Sequence, residues 1–150
     1  MGLERIRAVL LRHQRVALDT SIFIYQLQAN PRYVDLSHRI FTWLERPASS
    51  AVTCTITLTE LLVQPYRDSD EQLINGFLSL ITTFPNLTWI APNLDIAVLA
   101  AQLRALHRLR TPDALQAATA IHAQATALIT NDPVFDRLDD LEIVVLDRLL

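Results

Sequence analysis

The pattern of apolar and polar positions predicts short buried strands that alternate with amphipathic helices. Runs that are apolar without alternation are typical of strands buried on both faces, whereas apolar residues three or four positions apart predict helices. The predicted strands are residues 15–20, 50–55, 87–91, 127–130 and 142–146. The predicted helices are residues 3–13, 21–29, 32–46, 57–66, 69–84, 93–108 and 111–124, with a short helix starting at Pro133.

Residues with strong positional preferences predict where several helices begin and end. Ser69, followed by Gln72, forms a capping box that predicts a helix start. Thr111 is expected to be an N-cap, with Pro112 at the first helical position. The helix over residues 57–66 is expected to stop near Pro65.

Alternating strands and helices of this length predict an α/β fold whose parallel sheet is covered on both faces. We expect a single domain over residues 1–150, in which residues 1–14 form a helical extension before the first strand. If the five strands follow the order 3-2-1-4-5, the first and fourth are neighbours at a switch point, where ligands bind beyond the carboxyl ends of the strands.

Composition narrows the class of protein. With 51% hydrophobic and 19% charged residues, the chain has the content of a well-packed globular domain. Cys54 is the only cysteine, which excludes an internal disulfide and predicts a buried core residue in a protein of the reducing cytoplasm. Apolar runs are too short to cross a membrane, and the charges near the N-terminus argue against a signal peptide.

Charge composition excludes some mechanisms. The net charge of −3 gives no broad basic surface for nucleic acid, and every basic residue is an arginine. Without lysine, neither a phosphate-binding P-loop nor Schiff-base catalysis is possible. The four histidines lack the paired spacing of metal ligands, and the large aromatic residues are expected in the core.

Four carboxylates lie at or near the predicted strand ends. Asp19 closes the first strand, Glu60 lies about one turn into the helix after the second strand, Asp113 is in the first turn of the helix that leads to the fourth strand, and Asp132 follows that strand. Each has an ordinary alternative role, as a helix cap, a first-turn acid or a solvated side chain. Together, in apolar surroundings, they favour a shared divalent cation, and oxygen ligands without His or Cys select Mg²⁺ or Mn²⁺.

The motifs VALDTSIFIY, TLTELL, LRTPDALQAATAI and LITNDPVFDRL resemble the four acidic motifs of the PIN domain. This family of metal-dependent ribonucleases includes the toxins of VapBC toxin–antitoxin modules, and the resemblance extends over about residues 15–148. It implies a three-layer α/β/α sandwich, with Asp19, Glu60, Asp113 and Asp132 as catalytic acids that bind Mg²⁺ or Mn²⁺. It also implies an RNA substrate cleaved to 5′-phosphate and 3′-hydroxyl ends, a cognate antitoxin and a homodimer. Many members of the family begin almost at the first strand. This chain differs because about fourteen residues precede its first strand.

Other residues of these motifs are candidates for supporting the metal-binding acids or for contacting substrate. Four polar side chains are candidates for orienting the ligands: Thr20, Ser21, Thr130 and Asp136. Ordinary capping is an equally good role for the hydroxyls, and Asp136 is alternatively solvated beside Arg137. Arg108 and Arg110 are candidates for phosphate contacts, with a solvated face as the alternative.

Three alternatives remain at this stage. A phosphate-transfer enzyme of haloacid-dehalogenase type would need a second acid where this chain has Ser21. A stand-alone PIN-domain nuclease of RNA processing would have the same acids without an antitoxin. A catalytically silent interaction module would keep the fold without activity.

Overall fold

The computed structural model describes all residues from Met1 to Leu150. The strands are β1 (Arg15–Leu18), β2 (Ser50–Cys54), β3 (Leu87–Ile90), β4 (Ala127–Thr130) and β5 (Glu142–Val145). The helices are α1 (Gly2–Arg12), α2 (Thr20–Leu27), α3 (Val34–Leu44), α4 (Ile56–Arg67), α5 (Glu71–Thr83), α6 (Leu94–His107) and α7 (Thr111–His122). Two short 3₁₀ helices follow, at Pro133–Arg137 and Leu146–Leu149.

All five strands pair in parallel in the order β3-β2-β1-β4-β5, which confirms the predicted topology. Successive side chains of a strand point to opposite faces, and the two main cores follow that alternation. Val16 and Leu18 belong to the core beneath α1–α5, whereas Ala17 belongs to the core beneath α6 and α7. The molecule is therefore a three-layer α/β/α sandwich.

Helix α7 packs closely on the sheet because its inward face consists mainly of alanine. Ala114, Ala117 and Ala118 are fully buried, and they lie in one core with Ala17 of β1 and Leu128 of β4. Small side chains allow a helix to approach the strands closely, which fixes the start of α7 near the carboxyl ends of β1 and β4. Cys54 is buried and free, as expected.

The N-terminal helix α1 packs through Ile6, Val9 and Leu10 into the same core as α3. Its end reaches the edge strand β5, where Arg12 and His13 both contact the carboxylate of Glu142. None of the helices combines the length and apolar character needed to cross a membrane.

Helix α4 ends at Arg67, near Pro65 as predicted, and Pro65 itself is helical because a proline in the last turn removes only one backbone hydrogen bond. Two predicted helix starts were wrong, each for a local reason. Ser69 has a φ of 50°, which is not the extended backbone of an N-cap, and Asp70 caps α5 instead by accepting the Leu73 N–H.

The second error concerns the start of α7. Arg110 has extended backbone and occupies the N-cap position, so Thr111 is the first helical residue and Pro112 the second. The side chain of Arg110 makes no capping hydrogen bond.

Candidate functional site

Asp19 lies where β1 ends and α2 begins, beside the end of β4. Its backbone N–H donates to Ile129 O at 3.0 Å, so it continues the pairing of β1 with β4 by one residue. One carboxylate oxygen accepts the Thr20 N–H at 2.8 Å and caps α2, while the other accepts the hydroxyl of Thr130 at 2.7 Å. The expected capping role is therefore present, and it leaves the carboxylate fixed at the strand ends.

The structure brings Glu60 and Asp113 close enough to Asp19 to act on its charge. Desolvation by burial is the main cause that raises the pKa of Asp19 to about 6, and the negative charges of Glu60 and Asp113 raise it further. Hydrogen bonds from Thr130 and Thr20 oppose this rise in pKa. Asp19, Glu60 and Asp113, three of the four predicted acids, are therefore close enough for their charges to interact. They belong to the beginnings of three different helices, α2, α4 and α7.

The three carboxylates do not form a closed coordination shell. No group of three or more His, Cys, Asp or Glu side chains is arranged to hold a metal ion. Asp113 is buried and forms an ion pair with Arg110, whose Nε lies 3.2 Å from Oδ2. Glu60 is exposed, which differs from the buried setting inferred from its leucine neighbours, and its carboxylate accepts the Thr20 hydroxyl at 2.9 Å.

Asp132 is tied to the same strand end through Thr130. Its backbone N–H donates to the Thr130 hydroxyl oxygen at 3.0 Å, and its carboxylate caps the first 3₁₀ helix by accepting the Val134 N–H at 2.9 Å. Asp132 is not among the charges that affect the pKa of Asp19. Asp136 is turned elsewhere, because both of its oxygens accept hydrogen bonds from the Arg148 guanidinium, which lowers the pKa of Asp136.

Ser21 has the only buried side-chain N or O atom without a hydrogen-bond partner in the molecule. Buried hydroxyl groups are normally satisfied by protein or water, and this one belongs to the motif that begins with Asp19. An unpartnered oxygen there suits a site that receives a water molecule or a ligand.

Arg108 and Arg110 both lie in the connection between α6 and α7. The side chain of Arg110 is largely exposed beyond its contact with Asp113. Arg108 ends α6 in the left-handed region at a φ of 56°, and its carbonyl accepts a hydrogen bond from Arg137. Arg137 also binds the carbonyl of His107, so it anchors the connection that carries both arginines.

Sequence reasoning missed Gln116 and Thr57, which lie directly beneath the acids. Gln116 is 3% exposed and Thr57 is fully buried, and the Gln116 side-chain amide donates to the Thr57 hydroxyl. The available signal was the spacing of Gln116, three residues after Asp113 on the same face of α7. A polar residue within an alanine-rich inward face needs a buried partner.

The donor set fits a hard divalent cation. Carboxylate and hydroxyl oxygens surround the ends of β1 and β4, the Ser21 hydroxyl has no partner, and burial disfavours the charged form of Asp19. A bound cation would stabilise that charge. Asp113 and Glu60 each engage their present partner through one carboxylate oxygen, which leaves the other oxygen for a cation.

Comparison with known proteins identifies the fold. The family model described as PIN domain matches residues 16–141. The crystal structure of VapBC2 from Rickettsia felis bound to a DNA fragment from their promoter matches with a TM-score of 0.69 and 22% identity, covering 86% of this chain and 96% of that chain.

Two further solved structures have the same fold. A toxin–antitoxin complex from Klebsiella pneumoniae matches with a TM-score of 0.63 and 25% identity, over 87% of this chain and 97% of that chain. VapBC-1 from nontypeable Haemophilus influenzae matches with a TM-score of 0.68 and 24% identity, over 89% of this chain and 98% of that chain. A comparison with curated proteins finds no match.

Proposed function

This chain belongs to the PIN domain family, and from that premise we propose that it is a metal-dependent endoribonuclease that hydrolyses phosphodiester bonds of RNA. In this proposal Asp19, Glu60, Asp113 and Asp132 bind one or two Mg²⁺ or Mn²⁺ ions. The family consists of nucleases, which supports hydrolysis as the reaction class.

The observation that carries the proposal is the convergence of Asp19, Glu60 and Asp113 at one end of the sheet. The Thr20 N–H donates to Asp19, the Thr20 hydroxyl donates to Glu60, and the charges of Glu60 and Asp113 both act on Asp19. Residues far apart in sequence place negative charge at one end of a parallel sheet, at the switch point between β1 and β4. Such an arrangement is costly without a cation, so a cation-binding role explains it better than three separate structural roles.

When bound, a divalent ion at this site lowers the pKa of a coordinated water and stabilises the charge that develops on the leaving oxygen. The protein residues supply the framework. Thr130 and the Thr20 N–H fix the two oxygens of Asp19, and the alanine-rich face of α7 holds Asp113 against the sheet. Arg108 and Arg110 would contact substrate phosphates from the α6–α7 connection.

The proposal is tested by cleavage of total RNA with Mn²⁺, Mg²⁺, Zn²⁺ or excess EDTA, followed by mapping of the new ends. We expect cleavage with Mn²⁺ or Mg²⁺ that leaves 5′-phosphates and 3′-hydroxyls, and little activity with Zn²⁺. Asp19→Asn and Asp113→Asn should abolish cleavage, while Asp35→Asn, at an exposed position of α3, serves as a matched control. Undiminished cleavage in EDTA would contradict the metal-dependent mechanism.

We further propose that the chain is the toxin of a type II toxin–antitoxin pair. Support comes from the solved neighbours, which are VapBC or toxin–antitoxin complexes. A groove beside Glu60, between α2, α4 and α5, offers space for a partner segment; Ile24, Gln28, Gln64 and Phe77 are among its lining residues. Expression should arrest bacterial growth, Asp19→Asn should remove the arrest, and the product of an adjacent gene should relieve it.

A stand-alone nuclease of RNA processing would cleave RNA with the same metal dependence but cause no arrest that a neighbouring protein relieves. A catalytically silent module would neither bind Mn²⁺ nor cleave RNA. We also expect a homodimer, which light scattering at tens of micromolar protein would detect; a monomer under these conditions would contradict that expectation.

A further inference from the structure

A buried network of hydrogen bonds lies beneath the acids and joins β2, α2, α4 and α7. Its members are nearly fully buried, and they are Thr20, Thr53, Thr57 and Gln116. The network ends at three places: the carboxylate of Glu60, the backbone N–H of Cys54, and the carbonyl of Leu18, the residue directly before Asp19.

The orientation of the Gln116 amide follows from one backbone contact. Its Oε1 faces the backbone N–H of Cys54 at 3.4 Å, and an N–H can only donate. The amide nitrogen must therefore face the two hydroxyls, with Thr57 Oγ1 at 2.5 Å and Thr20 Oγ1 at 3.5 Å. Since an amide nitrogen carries two protons, it can donate one to each.

This orientation determines the direction of the remaining hydroxyl protons. Because Thr57 accepts from Gln116, its own proton is free for Thr53 at 2.8 Å, and Thr53 donates to the Leu18 carbonyl at 2.9 Å. Thr20 likewise accepts from Gln116 and has one proton of its own. The carboxylate of Glu60 at 2.9 Å is nearer than Thr57 at 3.3 Å and is charged, so it is the stronger acceptor.

We propose that Gln116 is a positioning residue that acts through Thr20 on Glu60. Glu60 is exposed and has a long side chain, so without a fixed donor it would lose its preferred position near Asp19 and Asp113. The donors of Gln116 direct the Thr20 proton towards Glu60 and so preorganise one acid of the site. The inference rests on the proposed role of Glu60 in metal binding.

The first test replaces Gln116 by Met, which keeps the length of the side chain and removes both donors. We expect Mn²⁺ affinity, measured by calorimetry, to fall about tenfold or more, as is typical when a group supporting a metal ligand is lost. Thr119→Val is the matched control, because Thr119 is fully buried on the same helix but donates only to Leu115 O. Equal losses in affinity for both variants would overturn the proposal.

A double-mutant cycle with Glu60→Gln tests whether Gln116 acts through Glu60. If it does, Gln116→Met should cause little further loss of Mn²⁺ affinity in the Glu60→Gln background. A purely structural role would give losses that add. If Gln116→Met does not fold, Gln116→Leu also removes both donors and adds no charge, and the same two comparisons apply.

A crystal structure of the Gln116 variant separates this inference from the proposed function. A Glu60 carboxylate displaced from Thr20 supports the positioning role, even if the wild-type protein proves unable to bind Mn²⁺ and the proposed function fails. A Glu60 carboxylate still at hydrogen-bond distance from Thr20 overturns the inference, even if the wild-type protein cleaves RNA with Mn²⁺.

Discussion

The Thr130 hydroxyl, at the end of β4, donates a hydrogen bond to Asp19, which follows β1. The distance from Thr130 Oγ1 to Asp19 Oδ2 is 2.7 Å. The same hydroxyl oxygen accepts the backbone N–H of Asp132 at 3.0 Å. One buried side chain therefore fixes both an acid that follows β1 and the backbone of an acid that follows β4. The contact with Asp19 joins the ends of β1 and β4, whereas the contact with Asp132 is local to the end of β4.

Replacing Thr130 by Val should weaken Mn²⁺ binding about tenfold or more, because Val keeps the shape but removes the donor to Asp19. Thr130→Ser is the matched control, since it keeps the hydroxyl and loses only a methyl group. Calorimetric titration of both variants with Mn²⁺ measures the difference. Equal affinities for Val and Ser would mean that the hydroxyl has no role in arranging the acids.

The raised pKa of Asp19 predicts how stability of the metal-free protein depends on pH. The pKa rises from an ordinary 3.8 to about 6, so between these values the folded state binds more protons than the unfolded state. Stability from this group is then present at low pH and falls as the pH rises from about 4 to about 6. The full displacement corresponds to at most about 3 kcal/mol.

Asp19→Asn isolates this contribution, because Asn can still cap α2 but does not titrate. In EDTA, we expect the free energy of unfolding of the variant, relative to wild type, to increase as the pH rises from 4 to 7. Denaturant unfolding at several pH values measures this difference. A difference that stays constant with pH would show that the pKa of the Asp19 carboxylate is not raised. In a separate measurement without EDTA, added Mn²⁺ should stabilise only the wild type.

The sequence predicted the five strands because buried parallel strands have a distinctive signature, whereas the strand order 3-2-1-4-5 was an assumption that the apolar runs do not determine. Apolar runs without alternation, each followed by a polar residue, indicate both the strands and their carboxyl ends. Asp19 and Asp132 were found in this way, since Asp19 closes the first run and Asp132 lies two residues past the fourth. In the structure both acids also cap the helix that follows them, which is the ordinary alternative role expected for an acid at this position.

Contacts between distant segments were less predictable. The Asp136–Arg148 pair and the network around Gln116 join residues whose proximity depends on the finished fold. Local patterns also failed where backbone geometry overruled residue preference, as at Ser69, whose positive φ transfers the capping role to Asp70. Positive φ at a residue other than glycine has only a weak sequence signal.

The exposed arginines of the α6–α7 connection predict a salt-dependent contribution to RNA binding. Arg108→Ala should weaken RNA binding a few-fold and reduce the slope of log affinity against log salt by roughly 0.7, the value for one phosphate contact on a single strand. Arg39→Ala, at an exposed position of α3, is the control and should change neither quantity. Binding to an RNA oligonucleotide in EDTA, across a salt series, measures both; an unchanged slope for Arg108→Ala would contradict a phosphate contact.

Asp132 and Asp136 offer a direct test of which acid after β4 belongs to the site. Asp132 is partly buried at the strand end and shares the Thr130 hydroxyl with Asp19, whereas Asp136 is exposed and paired with Arg148. We expect Asp132→Asn to lower RNA cleavage by about tenfold or more, as loss of a ligand or of its supporting group typically does. Asn retains the ability to cap the 3₁₀ helix, so the loss should come without a large change in melting temperature.

Asp136→Asn should change cleavage by only a few-fold, because its partner is a surface arginine and exposed ion pairs contribute little. Arg148→Ala is the companion variant, since it breaks the same ion pair from the other side and leaves every acid in place. The measurement is single-turnover cleavage of a defined RNA at saturating Mn²⁺. If Asp136→Asn were more damaging than Asp132→Asn while Arg148→Ala was harmless, Asp136 would be the acid that serves the reaction, and the fourth acid would lie one turn further along the chain than proposed.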